Sequence, residues 1–425
     1  MGTTQPIDDT LNHLFRAESG KMVAVLIKIF GIQNIGLAED VVQEALLAAM
    51  ESWKFKGLPD NPRAWLYRVA KNKAIDQLRK RRHDQVFDFT EPGRILLSSE
   101  YTLQVTMDDF FDDQKIQNDF LAMMFACCHP EIHIDHQITF ILKSLCGFST
   151  REVARAFLTE EATISKRIYR TKTFFKEERM RLAIPEGHEL ENRSASVLQA
   201  IYQIFNEGYK ATHSDQLVRK DLIAQALQLG QALLQHPLTR LPEVYALMAL
   251  MCYHAARSES RVGQEGQLVL LKDQDRSQWN QELIHSGHAF LNKAAFGERV
   301  SRYHIEAALA YEHCAASSYD NTNWQAILGY YDLLLDQGFD AVVYVNRCMA
   351  LLEASGVKVA KDALQKVDDI KVLQKYYLYH AAWGELYLKS QEPTRARRAW
   401  KRALDLTQSP AERKLLENKM QQLEE

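Results

Sequence analysis

Proline and glycine are scarce, 10 and 18 in 425 residues. With so few breakers, and with apolar residues recurring at helical rather than alternating spacing, the chain is expected to be almost entirely helical. Cysteine is scarce too: six residues at uneven spacing exclude a disulfide framework and suit a reducing cytoplasm. No uninterrupted apolar run approaches ~18 residues, so no membrane span is expected. The opening MGTTQPIDDTLNHLF lacks the basic segment and apolar run of a secretory leader. Charge of one sign is missing as well. With a formal net charge of -3, any attraction to nucleic acid must be local. Phosphate loops, nucleophile elbows and dinucleotide fingerprints are absent, which argues against an enzyme.

What is present falls into blocks. Residues 8–83 form a first helical block. Residues 84–114 hold eight acids and one base, Arg94, without a helical period, and are expected to be a flexible, mostly extended acidic linker. A second compact helical block covers 115–181. After the polar connector IPEGHELENR, a large helical region, 194–425, runs from Ser194 to the end. In that region Gly384, Tyr387, Ala396, Trp400 and Ala403 fall at tetratricopeptide spacings, with a weaker copy at Leu351, Ala360 and Leu364.

The local charge sits in NPRAWLYRVAKNKAIDQLRKRRH. Between Arg63 and Arg82 there are eight Lys or Arg and one acid, Asp76. Pro62 suits a first helical turn. On the resulting wheel Leu66, Ala70, Ala74 and Leu78 make an apolar row, flanked by Tyr67 and Val69. Trp65, Arg68, Asn72, Asp76 and Arg79 make the opposite stripe. Cations suit phosphates, an amide suits a base edge, and an indole can stack on an unpaired base. The same residues also allow a solvated basic face with Trp65 partly in the core. The preceding helix, AEDVVQEALLAAMESW, turns Ala38, Val41, Val42, Ala45, Leu46 and Ala49 inward, leaving Asp40, Glu44, Leu47 and Glu51 as an outer stripe.

Farther on, GFSTREVARAFLTEEATISKRIYRTKTFFKEE has the layout of a helix-turn-helix. Ser149 and Glu152 have the form of a capping box, and Thr159 is the expected cap of the second helix. That helix should bury Ile164, Ile168, Thr171 and Phe175. It should present Thr163, Lys166 and Arg170 outward, with Arg167, Lys172 and Thr173 at the edges, as reading a major groove requires.

In this order the segments resemble the extracytoplasmic-function sigma factors of bacterial RNA polymerase. Residues 38–82, with the loop FKGLPDN between the helices, are similar to their region 2, and the helix-turn-helix is similar to their region 4. MMFACCHPEI, IFNEGY and LLKDQDRSQW are similar to signatures of a subgroup with a large tetratricopeptide-like C-terminal extension. The resemblance implies an all-α fold: two small DNA- and polymerase-binding domains, the acidic linker, and the extension. It implies a cytoplasmic protein that binds core RNA polymerase and reads the -10 and -35 promoter elements. Trp65, Arg68, Lys71, Asn72 and Arg79 would face the -10 element. The loop Lys56, Gly57, Leu58, Pro59, Asp60 and Asn61 would hold a flipped base. Thr163, Lys166, Arg167, Arg170 and Lys172 would face the -35 element. Asp40, Gln43, Glu44 and Leu47 would dock on the polymerase, and the extension would regulate the rest or meet a protein partner. No cofactor or metal is implied. Cys127, Cys128, His129, His133 and His136 miss the usual zinc spacings, and the two cysteines are expected to end a buried helix before Pro130. DQDRSQW lacks an acid–base arrangement and suits a capped helix start or an inter-helix ion pair. The alternative is a free-standing helix-turn-helix regulator with a ligand- or protein-sensing repeat domain, which gives no role to the loop before Pro62.

Overall fold

The structure, a computed structural model, describes residues 4–81, 90, 93, 107, 110–157, 159–178, 182–210, 218–263, 267–297, 299–367, 371, 373–407 and 409–423. Among these are 18 α-helices and no β-structure beyond one isolated bridge, Val262 to Leu268, so the all-α expectation is met there. The chain divides into two compact units, Met1–Gln203 and Ile204–Glu425, the boundary falling within one helix.

The first unit is built around α1 (Thr4–Phe30). Nearly every residue of α1 from Glu18 to Phe30 is buried, Lys21 and Lys28 being the partly exposed ones, because neighbours cover it on all sides. These neighbours are α2 (Ile35–Lys56), α3 (Pro62–Arg81), α4 (Asp113–Cys127) and the π-helical turn Ile141–Leu145 that continues α5 (Ile134–Phe140). Gly20 permits the last of these approaches: a Cβ there would overlap the Leu145 carbonyl. Then come α6 (Thr150–Ala156), α7 (Glu161–Glu177) and α8 (Gly187–Lys210). The first and second helical blocks are therefore packed against each other within one unit.

The acidic linker lies almost wholly outside the described residues. Where it is described, Gly93, Met107 and Phe110 are helical and the first two are buried, which corrects an extended reading at those points. The Thr90 hydroxyl donates to the Ile29 carbonyl at 2.7 Å, fastening the chain to the end of α1. Asp112 caps α4 by accepting from the Gln114 and Lys115 amides at 3.0 and 3.3 Å.

The second unit continues with α9 (Lys220–Gln235), α10 (Pro242–Ala256), α11 (Gln281–Ala294), α12 (Arg302–Ala315), α13 (Trp324–Asp336), α14 (Ala341–Ser355), α15 (Val357–Gln365), α16 (Tyr377–Lys389), α17 (Pro393–Leu406) and α18 (Pro410–Gln421). Successive helices pack on one another. Gly384 on α16 faces α17 so closely that a Cβ would overlap the Trp400 indole. Ala396, Trp400 and Ala403 are buried, as are Leu351, Ala360 and Leu364 in the preceding hairpin, where the sequence spacing put them. DQDRSQW proves to be a capped turn: Asp275 accepts from the Ser277 amide at 2.9 Å. Its arginine makes no inter-helix ion pair. Arg276 instead donates to the His313 and Ala316 carbonyls, each at 2.6 Å, closing the C-terminal end of α12.

Candidate nucleic-acid interface

Helix α3 starts where the sequence places it. The Asn61 side chain accepts from the Ala64 amide at 3.0 Å, and Pro62 occupies the first turn, where its missing N–H costs nothing. Leu66, Ala70, Ala74 and Leu78 are fully buried and Tyr67 nearly so. Arg68, Asn72, Asp76 and Arg79 are exposed, while Trp65 and Lys71 are half-buried. Trp65 sets an edge against Trp53 at 5.2 Å, and Phe15 lies 6.0 Å from the other side of this pair, against Trp53. The stripe thus combines exposed guanidinium and amide groups with an indole held by aromatic packing. The loop before it is exposed at Lys56, Gly57, Leu58, Asp60 and Asn61, with Pro59 partly covered.

Not every basic residue of α3 is available. Arg63 pairs with Glu18 at 3.2 Å and with Asp113 at 2.7 Å, joining α3 to α1 and α4. Burial opposes its charge, but the hydrogen bond to Asp113 and the nearby Glu18 more than offset this, so its pKa rises. The Tyr67 hydroxyl donates to the same Glu18 at 2.8 Å; burial, then the carboxylate, push the phenol well above its ordinary range. Lys73 reaches back to Glu44 on α2 at 2.9 Å.

On α2 the inward set is buried except for half-buried Leu46. Asp40, Gln43, Glu44 and Leu47 are all exposed, Leu47 at 58% with Met50 beside it at 55%. Two exposed apolar side chains amid carboxylates suit a protein contact better than bare solvation.

In the second block the capping box is present: Ser149 and Glu152 exchange hydrogen bonds of 2.8 and 3.2 Å. The cap position of α7 is Glu160, not Thr159, whose amide instead bonds the Ala154 carbonyl and closes the turn. Ile164, Thr171 and Phe175 are buried, and Ile168 is half-buried. Lys166 and Arg170 are exposed, and Thr163 is partly so. The other two basic side chains are engaged: Arg167 with Asp135 at 3.1 Å, and Lys172 with Glu39 of α2 at 2.8 Å. Glu39 also accepts from the Ser144 hydroxyl at 2.8 Å. A cavity of about 320 Å³ opens at this seam, lined by Ser19, Glu39, Gln43, Lys143, Ser144 and Glu152 among others.

Sequence reasoning passed over two exposed aromatic groups at these surfaces. Phe55 is 84% exposed at the mouth of the loop, and Tyr169 is 71% exposed between Lys166 and Arg170; Leu58, which the sequence did place in the loop, is 44% exposed there. A phenylalanine on the polar side of the α2 wheel was the available signal. Cys127 and Cys128 end α4 ahead of Pro130 as expected; both are buried, and burial raises both thiol pKa values. No cluster of three or more metal-binding side chains occurs among the described residues, and no described helix is long and apolar enough to cross a membrane.

Residues 14–83, which contain α2, α3 and their loop, match sigma-70 region 2, and residues 193–295 match a family of unknown function, DUF6596. The fold and surface thus define a chain that joins an N-terminal sigma-70 region 2 to a C-terminal helical region of that second family. It belongs to the same family as an uncharacterized protein of Rhizobium meliloti, to which it is 32% identical over 381 residues, covering 89% of this chain and 88% of that one. It is also similar to a probable RNA polymerase sigma factor of Haemophilus influenzae: 24% identical over 163 residues, covering 33% of this chain and 76% of that protein. No solved structure matches.

Proposed function

We propose that this protein is an alternative sigma factor of the extracytoplasmic-function type. It binds core RNA polymerase through Asp40, Gln43, Glu44 and Leu47 and directs initiation at promoters with -10 and -35 elements. The observation that carries the reading is the α3 stripe: exposed Arg68 and Asn72 beside Trp65, next to the exposed loop 56–61, all inside the sigma-70 region 2 match. A base flipped from the opened strand enters the loop, and stacking offsets a few kcal/mol of unpairing cost. Arg79 and its basic neighbours add phosphate contacts, so binding falls steeply with salt.

The second block acts as region 4. Thr163, Lys166 and Arg170 read the -35 element, and Tyr169 lies on the same face. Engaging two elements separates α7 from α2, which opens the Lys172–Glu39 pair and releases Lys172 for a phosphate. The helical hairpins of the second unit, with small residues and a tryptophan at the crossing, support a tetratricopeptide-like array that regulates the sigma module or meets a protein partner.

The test is promoter-library transcription with purified core polymerase. Glu44→Lys places a cation in the acidic stripe and against Lys73, and is expected to weaken core binding more than a hundredfold with the helical circular dichroism intact. Arg170→Ala is expected to cost about 1–3 kcal/mol at the -35 element alone. Operator binding without any response to core polymerase would replace this reading with that of a free-standing regulator.

A further inference from the structure

Half-buried arginines in this protein usually have a carboxylate. Arg63 has Glu18 and Asp113, Arg193 has Glu189, Arg219 has Asp221, and Arg347 has Asp332. Three arginines of the second unit break the pattern. Arg257, Arg261 and Arg276 are each only partly exposed, and none forms an ion pair among the described residues. All three meet the sequence motifs that the promoter-binding surfaces leave unused: Arg257 and Arg261 at Tyr209 of IFNEGY, and Arg276 within DQDRSQW.

The three lie close together. Arg257 and Arg261 both contact Tyr209, and Arg257 lowers the pKa of Arg261 and of Arg276, after burial and against the raising effects of Tyr209 and Cys314 respectively. Arg261 is fixed by its donation to the Tyr209 carbonyl and lies 3.9 Å over the Tyr209 ring. Arg276 is held by the carbonyls at the end of α12. Arg257 is different. Its Nε donates to the Tyr209 hydroxyl at 3.0 Å, yet neither terminal nitrogen has a partner among the described residues and neither is sealed from solvent. The Tyr331 hydroxyl, within electrostatic reach of Glu306 and of Arg257, likewise has no hydrogen-bond partner among the described residues. Nearby His313 has a buried Nδ1 with no partner.

A half-buried cation with no counter-charge among the described residues is costly, and a cluster of them more so. A guanidinium whose two terminal nitrogens are free is built for two parallel bonds to a planar or tetrahedral oxyanion. We propose that Arg257, with Arg261 and the Tyr331 hydroxyl, forms the binding site of a small oxyanion, a phosphate- or carboxylate-bearing metabolite. Occupation supplies the missing counter-charge and ties α8, α10 and α13 together, so the second unit senses that ligand.

Titration calorimetry on the full chain, without DNA or polymerase, tests this apart from the sigma-factor reading. Inorganic phosphate and succinate are each titrated at matched ionic strength, with chloride as the reference. One site per chain is expected. Tighter phosphate binding marks a phosphoryl ligand and tighter succinate binding a carboxylate one; both support the site. Arg257→Gln should weaken binding at least tenfold. Tyr331→Phe, which removes a hydroxyl with no structural partner, should weaken it about threefold without touching the fold. Lys220→Gln, a surface control paired only with Glu259, should bind as the native chain does. Heat no larger than that of chloride for both anions, or native-like binding by Arg257→Gln and Tyr331→Phe, overturns the proposal.

Discussion

The first unit and one arginine cluster of the second treat positive charge in opposite ways, although elsewhere in the second unit Arg219, Arg347 and Lys361 keep carboxylate partners. In the first, many basic residues face solvent, as on the α3 and α7 stripes, and others are tied to carboxylates that join helices, as Arg63 is to Glu18 and Lys172 is to Glu39. In the second, Arg257, Arg261 and Arg276 are turned toward aromatic rings and backbone carbonyls, with no acid beside them among the described residues. Exposed cations cost nothing to keep in water and can be surrendered to a polyanion. Enclosed cations must be held by precise geometry, which makes them selective for one small ligand. On the reading proposed above, one region binds a long charged surface and the other senses a ligand.

The largest expected effect separates the units. Trp400→Ala empties the fully buried indole site against Gly384 and should cost about 3–5 kcal/mol of second-unit stability. Differential scanning calorimetry should show one transition falling and the other fixed; a joint shift of both would mean that the units unfold as one.

Protonation sharpens the contrast. Burial, then the charges of Arg257 and Arg276, lower the His313 pKa from 6.5 to about 3. Below pH 6.5 the unfolded chain therefore binds a proton that the folded chain refuses. Stability falls from there toward pH 3 by up to about 1.4 kcal/mol per pH unit. Chemical denaturation between pH 7 and 5 should show the loss, and His313→Gln should flatten it; an unchanged slope would mean that His313 protonates freely in the folded unit.

The smallest effect belongs to the first unit. Lys172→Met removes a partly exposed ion pair with Glu39 and should cost ~1 kcal/mol or less. A loss above 2 kcal/mol in urea denaturation would place that pair among the main ties between the blocks.

Much of the first unit was legible from residue spacing. The apolar row of α3, the outward stripe Arg68, Asn72, Asp76 and Arg79, and the Ser149–Glu152 capping box depend on neighbours three or four positions apart, which helical periodicity dictates. The cap of α7 was misplaced by one residue because Thr159 is drawn into the turn by its amide bond to Ala154. The extended reading of the acidic segment failed at Gly93 and Met107 because burial against the unit overrode composition. The roles of Arg63, Arg167 and Lys172 could not be read at all, since their carboxylate partners are 32 to 133 positions away in the chain.

By itself the sequence determined the all-helical class, the amphipathic faces and the groups available to nucleic acid, because each follows from local spacing and side-chain chemistry. Only the tertiary structure decided which cations remain free. Pairing depends on distances between helices that are remote in the chain. Packing alone set Glu18 and Glu39 against the first unit's bases and left Arg257 without an acid among the described residues.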